Sequence, residues 1–217
     1  MVTPLPDSSL RARILAAADA VELARDELCR LDAAAGDGDH GVTMALAARA
    51  VRSRLAAAPD AGGADLITQV ALALGSVGGA IGPIHAAGLL GVAATLRSLG
   101  PIAGGLTVEQ LAQMSEAYRA AIADLGGAKP GDKTIIDAVT PAVDALRAAV
   151  GSNTPLGGAV AGAVQAADQG ARSTAAMIAS VGRASRLGER SRGTPDPGAT
   201  SFALILAALA GVSPTTV

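Results

Sequence analysis

Apolar residues recur every three or four positions over most of the chain, which is the spacing of one face of an α-helix. One such stripe runs from Leu10 to Leu31 and another from Val108 to Leu125. Sustained alternation of β-branched or aromatic residues with polar ones, the usual pattern of a strand, does not occur. The pattern predicts an all-α fold, and a length of 217 residues suits one domain, placed at 1–217.

Glycine, proline and capping residues divide the apolar stripes into about eight predicted helices. Thr107 and Gln110 predict a capping box, and Pro141 predicts a kink in its helix. The spacing of Gly158 and Gly162 predicts close helix packing. The helices are predicted over about residues 8–31, 42–58, 65–77, from 83 onward, 107–125, 136–150, 155–178 and up to 209.

The composition restricts how the core can be built. Half of the residues are hydrophobic, yet Tyr118 and Phe202 are the only aromatic ones. The core must therefore consist of alanine, leucine, isoleucine and valine, and small side chains allow helices to approach closely. The longest stretch without charge, Leu66 to Leu96, is interrupted by glycines and Pro83, so it predicts buried helices rather than a membrane span.

The charge and cysteine content exclude several classes of function. The net charge is −2 and the basic residues are scattered, so we expect no nucleic-acid binding. Cys29 is the single cysteine, which excludes an internal disulfide and a cysteine zinc site. The plain interpretation is a cytoplasmic protein.

Three carboxylates lie within eight positions in the stretch from Asp32 to Asp39, with Asp37 between them and His40 directly after. Clustered carboxylates repel one another unless a cation neutralises them, and oxygen ligands suit Mg²⁺ or Ca²⁺. A calcium EF-hand is excluded because the sixth and twelfth positions from Asp37 are not glycine and glutamate. The stretch predicts a Mg²⁺ site, and the alternative is a solvated turn that caps the next helix.

The start of the helix after His40 and two further loops have the composition of an anion site. The helix after His40 would direct free N–H groups toward the carboxylates, and the small residues Gly41 and Thr43 would leave room for a phosphate. A second glycine-rich loop, 78–83, either joins this site or only allows a tight turn. The arginine-rich loop 182–201 either holds anions or is simply solvated.

Three motifs in this order resemble the L subunit of the dihydroxyacetone kinases, the nucleotide-binding half of these enzymes. They are Gly-Asp-Gly-Asp-His-Gly at 36–41, Lys-Pro-Gly-Asp-Lys-Thr at 129–134, and Gly-Arg-Ala-Ser-x-Leu-Gly-Glu-Arg-Ser at 182–191 followed by Asp-Pro-Gly-Ala-Thr-Ser at 196–201. The resemblance implies a closed barrel of about eight antiparallel helices, with ADP or ATP and two Mg²⁺ ions at one end.

The resemblance also implies roles for individual residues. Asp32, Asp37 and Asp39 would hold the Mg²⁺ ions and, together with His40, form the catalytic group, while Asp132 and Lys133 would tie their loop. The nucleotide would be contacted by His40, Gly41, Val42, Thr43, Ile81, Gly82, Gly126, Ile135, Arg183, Asp196, Pro197 and Gly198.

Two positions depart from the family's usual pattern. Ile81 stands where a small hydroxyl residue is usual, and His85 where an aromatic is usual, so His85 is either a core histidine or part of the pocket rim. The resemblance implies phosphoryl transfer to dihydroxyacetone on a separate K subunit, with bound ADP rephosphorylated by a phosphoenolpyruvate-driven M subunit. The alternatives are an ATP-dependent dihydroxyacetone or erythrulose kinase subunit and a non-catalytic nucleotide-binding regulatory module.

Overall fold

The computed structural model of the chain describes residues 7–100, 102 and 105–212, and over this range it confirms the all-α prediction. These residues form nine α-helices and two 3₁₀ helices without a strand. The α-helices are α1 (Asp7–Leu23), α2 (Arg25–Ala33), α3 (His40–Ala57), α4 (Gly63–Gly75), α5 (Ile81–Leu99), α6 (Val108–Gly126), α7 (Ile136–Gly151), α8 (Leu156–Ser173) and α9 (Pro197–Ala210). The 3₁₀ helices are Thr174–Ala176 and Arg183–Ser191.

The count differs from the predicted eight because the first predicted helix is divided at Ala24. Hydrogen bonds still cross the division: the Ala24 N–H donates to the Ala20 carbonyl at 3.1 Å and the Leu28 N–H donates to the Ala24 carbonyl at 2.9 Å. One apolar stripe therefore continues through both helices, and the sequence pattern alone does not reveal the break.

Eight of the helices form a closed ring. From α3 to α9 each helix packs on the next, and α1 packs on both α9 and α3, which closes the ring. The short helix α2 lies at one end against α3 and α9. The described chain contains no helix that is both long and apolar enough to cross a membrane.

Close helix contact depends on small residues, as the composition predicts, but not on the predicted pair. A Cβ at Gly162 would meet no neighbouring atom, and one at Gly158 would touch only the Thr154 methyl group, so the predicted role of this pair is wrong. Gly170 instead lies against α7, where a Cβ would overlap the Asp137 carbonyl oxygen. Helix α7 continues through Pro141, which has no N–H to donate to that carbonyl.

Candidate metal and nucleotide site

The three predicted carboxylates converge in the loop between α2 and α3. Asp32, Asp37 and Asp39 each present an oxygen within 4.8 Å of the other two. Asp32 is half-buried, whereas Asp37 and Asp39 are exposed. Gly38 has a φ of +77°, a left-handed conformation that suits glycine and lets the chain turn between the two exposed carboxylates.

Asp32 also caps the helix that follows. Its Oδ2 accepts hydrogen bonds from the backbone N–H groups of Asp39, at 2.9 Å, and His40, at 3.2 Å. The capping interpretation of this stretch is therefore correct for Asp32, and it is compatible with metal binding through the rest of the cluster. A Cβ at Gly36 would overlap the other oxygen of Asp32, so a larger residue there would displace this carboxylate.

Arg183 brings a positive charge to the same cluster. Its guanidinium forms an ion pair with Asp37 and lies 3.5 Å from Asp39. These carboxylates thus share one cation while remaining open to solvent. An all-oxygen donor set with two exposed members is of the type that Mg²⁺ uses together with substrate phosphates and water. The residues present fit that ion.

His40 begins α3 and faces α9, where its Nε2 lies 3.1 Å from the Ser201 hydroxyl oxygen. Burial lowers the pKa of His40 to about 4, and the negative charge of Asp32 offsets this only in part. The imidazole is therefore neutral at pH 7, and the Ser201 hydroxyl fixes its orientation beside the carboxylates.

A cleft of about 190 Å³ opens next to this cluster, where five separate segments of the chain meet. A larger groove of about 300 Å³ lies around Pro141, but it contains none of the three clustered carboxylates. We therefore take the smaller cleft as the functional one. It is lined by Asp39, His40, Thr43, Gly79, Ala80, Ile81, Ile84, Thr134, Ile135, Arg183, Asp196, Pro197 and Gly198.

Four residues predicted to contact the nucleotide do not line this cleft. A Cβ at Gly41 would overlap the Arg25 carbonyl, and one at Gly82 would lie 2.5 Å from the Leu74 carbonyl oxygen. Both glycines thus serve close packing, and the role predicted for Gly41, to keep a path open for a phosphate, stays a prediction. Val42 is 49% exposed, and Gly126 is exposed at the end of α6. Nucleotide contact at these four positions stays a prediction.

Several cleft residues escape analysis of the sequence. Thr134 belongs to a quoted motif, and Ser201, which contacts His40 from behind the cleft lining, ends another, but a motif does not tell which way a side chain points. Ile84, Gly79 and Ala80 lie beside the predicted Ile81, and the second glycine-rich loop is the signal that could have identified them.

Asp196 forms the opposite wall of the cleft and starts α9. Its Oδ2 accepts from the Ala199 N–H at 2.7 Å, while its own N–H donates to the Thr174 hydroxyl oxygen at 2.7 Å. Burial raises the pKa of Asp196 to about 6. The prediction that Lys133 ties its loop is confirmed, since its Nζ donates to two backbone carbonyls.

His85 lies in the core rather than on the pocket rim. It is 5% exposed, and its Nδ1 lies 2.6 Å from the Tyr118 hydroxyl oxygen. Burial raises the pKa of Tyr118, so the hydroxyl stays protonated and donates to Nδ1. The proton of the neutral imidazole is then on Nε2, which has no hydrogen-bond partner within the described chain.

The burial of His85 predicts how the stability of the fold changes at acidic pH. Its pKa falls from 6.5 to about 4, so the unfolded chain binds the proton more tightly and the folded state loses stability as the pH falls from 6.5 toward 4. The substitution His85→Asn retains an acceptor for Tyr118 but cannot titrate. We expect the unfolding free energy of the wild type, relative to this variant, to fall by roughly 2–3 kcal/mol between pH 7.5 and 4.5. Urea unfolding at both pH values measures it, and a pH-independent difference would contradict it.

Comparison with known proteins agrees with this geometry. Residues 34–211 match the DAK2 domain family. The chain is 36% identical to the ADP-binding subunit DhaL of the PEP-dependent dihydroxyacetone kinase of Escherichia coli, over 84% of this chain and 86% of that subunit. It is 39% identical to a D-erythrulose kinase of Mycolicibacterium smegmatis, over 87% of this chain.

The fold is also similar to that of a solved enzyme. The dihydroxyacetone kinase of C. freundii in complex with AMP-PNP and Mg²⁺ superposes with a TM-score of 0.69 at 27% identity, covering 97% of this chain and 35% of that one. The chain likewise spans about a third of the length of the erythrulose kinase, 32%. The matched domain, the similarity over 86% of an ADP-binding subunit and the shared fold lead to one conclusion: this chain belongs to the DAK2 domain family.

Proposed function

We propose that the chain holds a Mg²⁺–adenine nucleotide in the cleft and transfers its terminal phosphate to a short-chain ketose bound on a separate K subunit. One observation carries the proposal: three converging carboxylates border a cleft at the start of α3, and Arg183 forms an ion pair with one of them. Similarity to an ADP-binding subunit over most of both chains supports the nucleotide.

In this proposal Asp32, Asp37 and Asp39 would hold two Mg²⁺ ions. Bound metal supplies neutralisation of the phosphate charge, which is the main requirement of phosphoryl transfer. Arg183 would add a second positive group beside the phosphates, because its guanidinium already lies at the carboxylate cluster. His40 is neutral and its ring is held by Ser201, so it would help to orient the bound nucleotide without adding a charge.

The sugar site is expected outside these 217 residues. The cleft is small and polar on its carboxylate side, and the erythrulose kinase to which the chain is similar is about three times as long. A K subunit that binds the ketose would close over the cleft and present a hydroxyl to the phosphate. Because the helices form one closed ring, we expect residues 1–217 to act as a single Mg²⁺–nucleotide-binding domain.

The relatives support two candidates for the phosphate source and the sugar. Similarity to a PEP-dependent ADP-binding subunit supports ADP as a held coenzyme, rephosphorylated by a phosphoenolpyruvate-driven M subunit. The second candidate is an ATP-dependent kinase subunit for erythrulose, and it is supported by the identity of 37–39% to erythrulose kinases.

Nucleotide analysis of the purified protein separates these candidates. Protein prepared without added nucleotide is heat-denatured, and the supernatant is chromatographed for adenine nucleotides. About one ADP per chain would support the held coenzyme, whereas an empty protein that takes up Mg²⁺–ATP would support the ATP-dependent kinase. Mixtures with a K subunit and each phosphate source then compare dihydroxyacetone with erythrulose. Failure to phosphorylate either sugar under all combinations would contradict the proposed activity.

A further inference from the structure

The segment between α8 and α9 leaves the ring of helices and returns beside its own starting point. The Gly193 N–H donates to the Ala175 carbonyl at 2.8 Å, and the Asp196 N–H donates to the Thr174 hydroxyl oxygen at 2.7 Å. Residues 174–196, called here the α8–α9 loop, are therefore closed at a neck formed by Thr174 and Thr194. The loop carries Arg183 and ends at the cleft wall.

Lys133 fills this neck. Its Nζ donates to the Thr174 carbonyl oxygen and to the Thr194 carbonyl oxygen, at 2.6 Å each, and the residue is only 4% exposed. Two carbonyl oxygens that face each other repel, and each loses its water when it is buried. One ammonium group between them satisfies both, so Lys133 adds to the two direct hydrogen bonds that join the ends of the loop, and its loss should loosen the neck.

The identity of the side chain suits this task. Only two of the 17 basic residues are lysines, Lys129 and Lys133, and all the others are arginines. A compact ammonium on a flexible stem fits between two carbonyls, whereas the wide planar fork of arginine does not. Lys133 also has a φ of +59°, an unusual conformation for a residue with a side chain, which places its stem toward the neck.

The loop between α6 and α7, which contains Lys133, forms another wall of the cleft. Thr134 and Ile135, directly after Lys133, line the cleft together with His40 and Thr43 of α3. On the other side of Lys133, the side chain of Asp132 accepts a hydrogen bond from the Ser180 hydroxyl, and the Asp132 carbonyl accepts one from the Ser180 N–H at 3.3 Å. Lys133 thus lies where two walls of the cleft are joined.

We propose that Lys133 is the positioning residue of the cleft: by closing the neck at Thr174 and Thr194, it holds Arg183 and Asp196 at the distance from the carboxylate cluster that Mg²⁺–nucleotide binding needs. The inference rests on the proposed function and extends it to a residue outside the cleft lining. Small displacements of positioning groups cost up to about 100-fold in reactions that depend on geometry, so loosening the neck should be measurable.

The two lysines allow a test without mutation. Native protein is treated with limiting acetic anhydride, and peptide mass spectrometry compares acetylation of Lys129 with that of Lys133. Lys129 is exposed in the same loop and is the internal control. We expect Lys133 to react at least about tenfold more slowly, because acetylation requires the neck to open, and Mg²⁺–ADP to slow it further. Equal rates for the two lysines would overturn the inference.

The matched variants Lys133→Met and Lys129→Met test the link to binding. We expect Lys133→Met to keep its helical circular dichroism, to exchange amide hydrogens faster at 179–193 but not in α4 and α5, and to bind Mg²⁺–ADP at least about tenfold more weakly. Lys129→Met should match the wild type in all three. A folded Lys133→Met that binds Mg²⁺–ADP like Lys129→Met would overturn the inference.

A second site in the neck keeps the test valid if Lys133→Met does not fold. Thr174→Val retains the shape of the side chain but removes the acceptor of the Asp196 N–H, so it should raise the acetylation rate of Lys133 and weaken Mg²⁺–ADP binding. An unchanged rate and affinity would overturn the inference. Wild-type protein that binds no Mg²⁺–ADP would instead contradict the proposed function, and the acetylation rates alone would then decide the role of Lys133 in the neck.

Discussion

Asp37→Ala is expected to lower the affinity for Mg²⁺–ADP by about 100-fold or more while leaving the fold intact. Loss of a group that merely supports a metal ligand costs about 10- to 100-fold in metal affinity, and a direct ligand should cost at least the upper value. The Asp37 side chain is exposed, and its interaction within the described chain is the ion pair with Arg183. Its removal therefore leaves the helices unaffected.

Asp32→Ala is expected to affect both metal binding and helix capping, in contrast to Asp37→Ala. Asp32 accepts hydrogen bonds from two N–H groups at the start of α3, so its loss should weaken Mg²⁺–ADP binding and also lower the unfolding free energy by roughly 1–2 kcal/mol. Asp60→Ala, an exposed carboxylate in the loop after the far end of α3, controls for loss of charge and should change neither. Calorimetric titration with ADP and urea unfolding measure both quantities. Full Mg²⁺–ADP affinity in Asp37→Ala would show that the cluster is only a solvated turn.

Gly170→Ala and Gly162→Ala are expected to shift stability in opposite directions, although both lie in α8. A Cβ at Gly170 would overlap the Asp137 carbonyl and lie 3.0 Å from both the Ala138 Cα and the Pro141 Cγ. Backbone atoms cannot rotate away, so α8 must separate from α7, at a cost of roughly 2–3 kcal/mol. Gly162 has open space around it, and alanine there should stabilise the helix by up to about 1 kcal/mol.

Urea unfolding of both glycine variants at pH 7.5 tests how closely α7 and α8 pack in the ring of helices. The α7–α8 contact is one of the most extensive in the fold, so a displacement there should also lower the cooperativity of unfolding. Equal effects of the two substitutions would mean that α7 and α8 do not approach each other at Gly170.

The sequence predicts features that depend on nearby residues better than those that depend on distant ones. The helical stripes and the Asp32–Asp39 cluster are local, and both appear in the structure where the spacing placed them. The packing roles of Gly41 and Gly170 could not be predicted, because the atoms that a Cβ at either position would overlap belong to other helices. A glycine in a helix looks the same in the sequence whether a carbonyl or solvent lies beside it.

The walls of the cleft show the same distinction. Arg183 and Asp196 could be assigned only through a family resemblance, since more than 140 positions separate them from Asp37 and no periodicity links them. The role of Lys133 needed the fold itself. Its two acceptors, Thr174 and Thr194, are 41 and 61 residues away, so the neck exists only once α8 and α9 have packed.

Binding of ADP by nucleotide-free protein, with Mg²⁺ or with a chelator in its place, is the decisive measurement. Bound nucleotide is first removed by unfolding and refolding, and ADP is then titrated calorimetrically under the two conditions. The clustered carboxylates beside the cleft predict one ADP per chain with Mg²⁺ and little or no binding without it, because three negative groups repel a phosphate that no cation accompanies. Equal ADP affinity with and without Mg²⁺, or no binding in either case, would contradict a metal–nucleotide site at Asp32, Asp37 and Asp39.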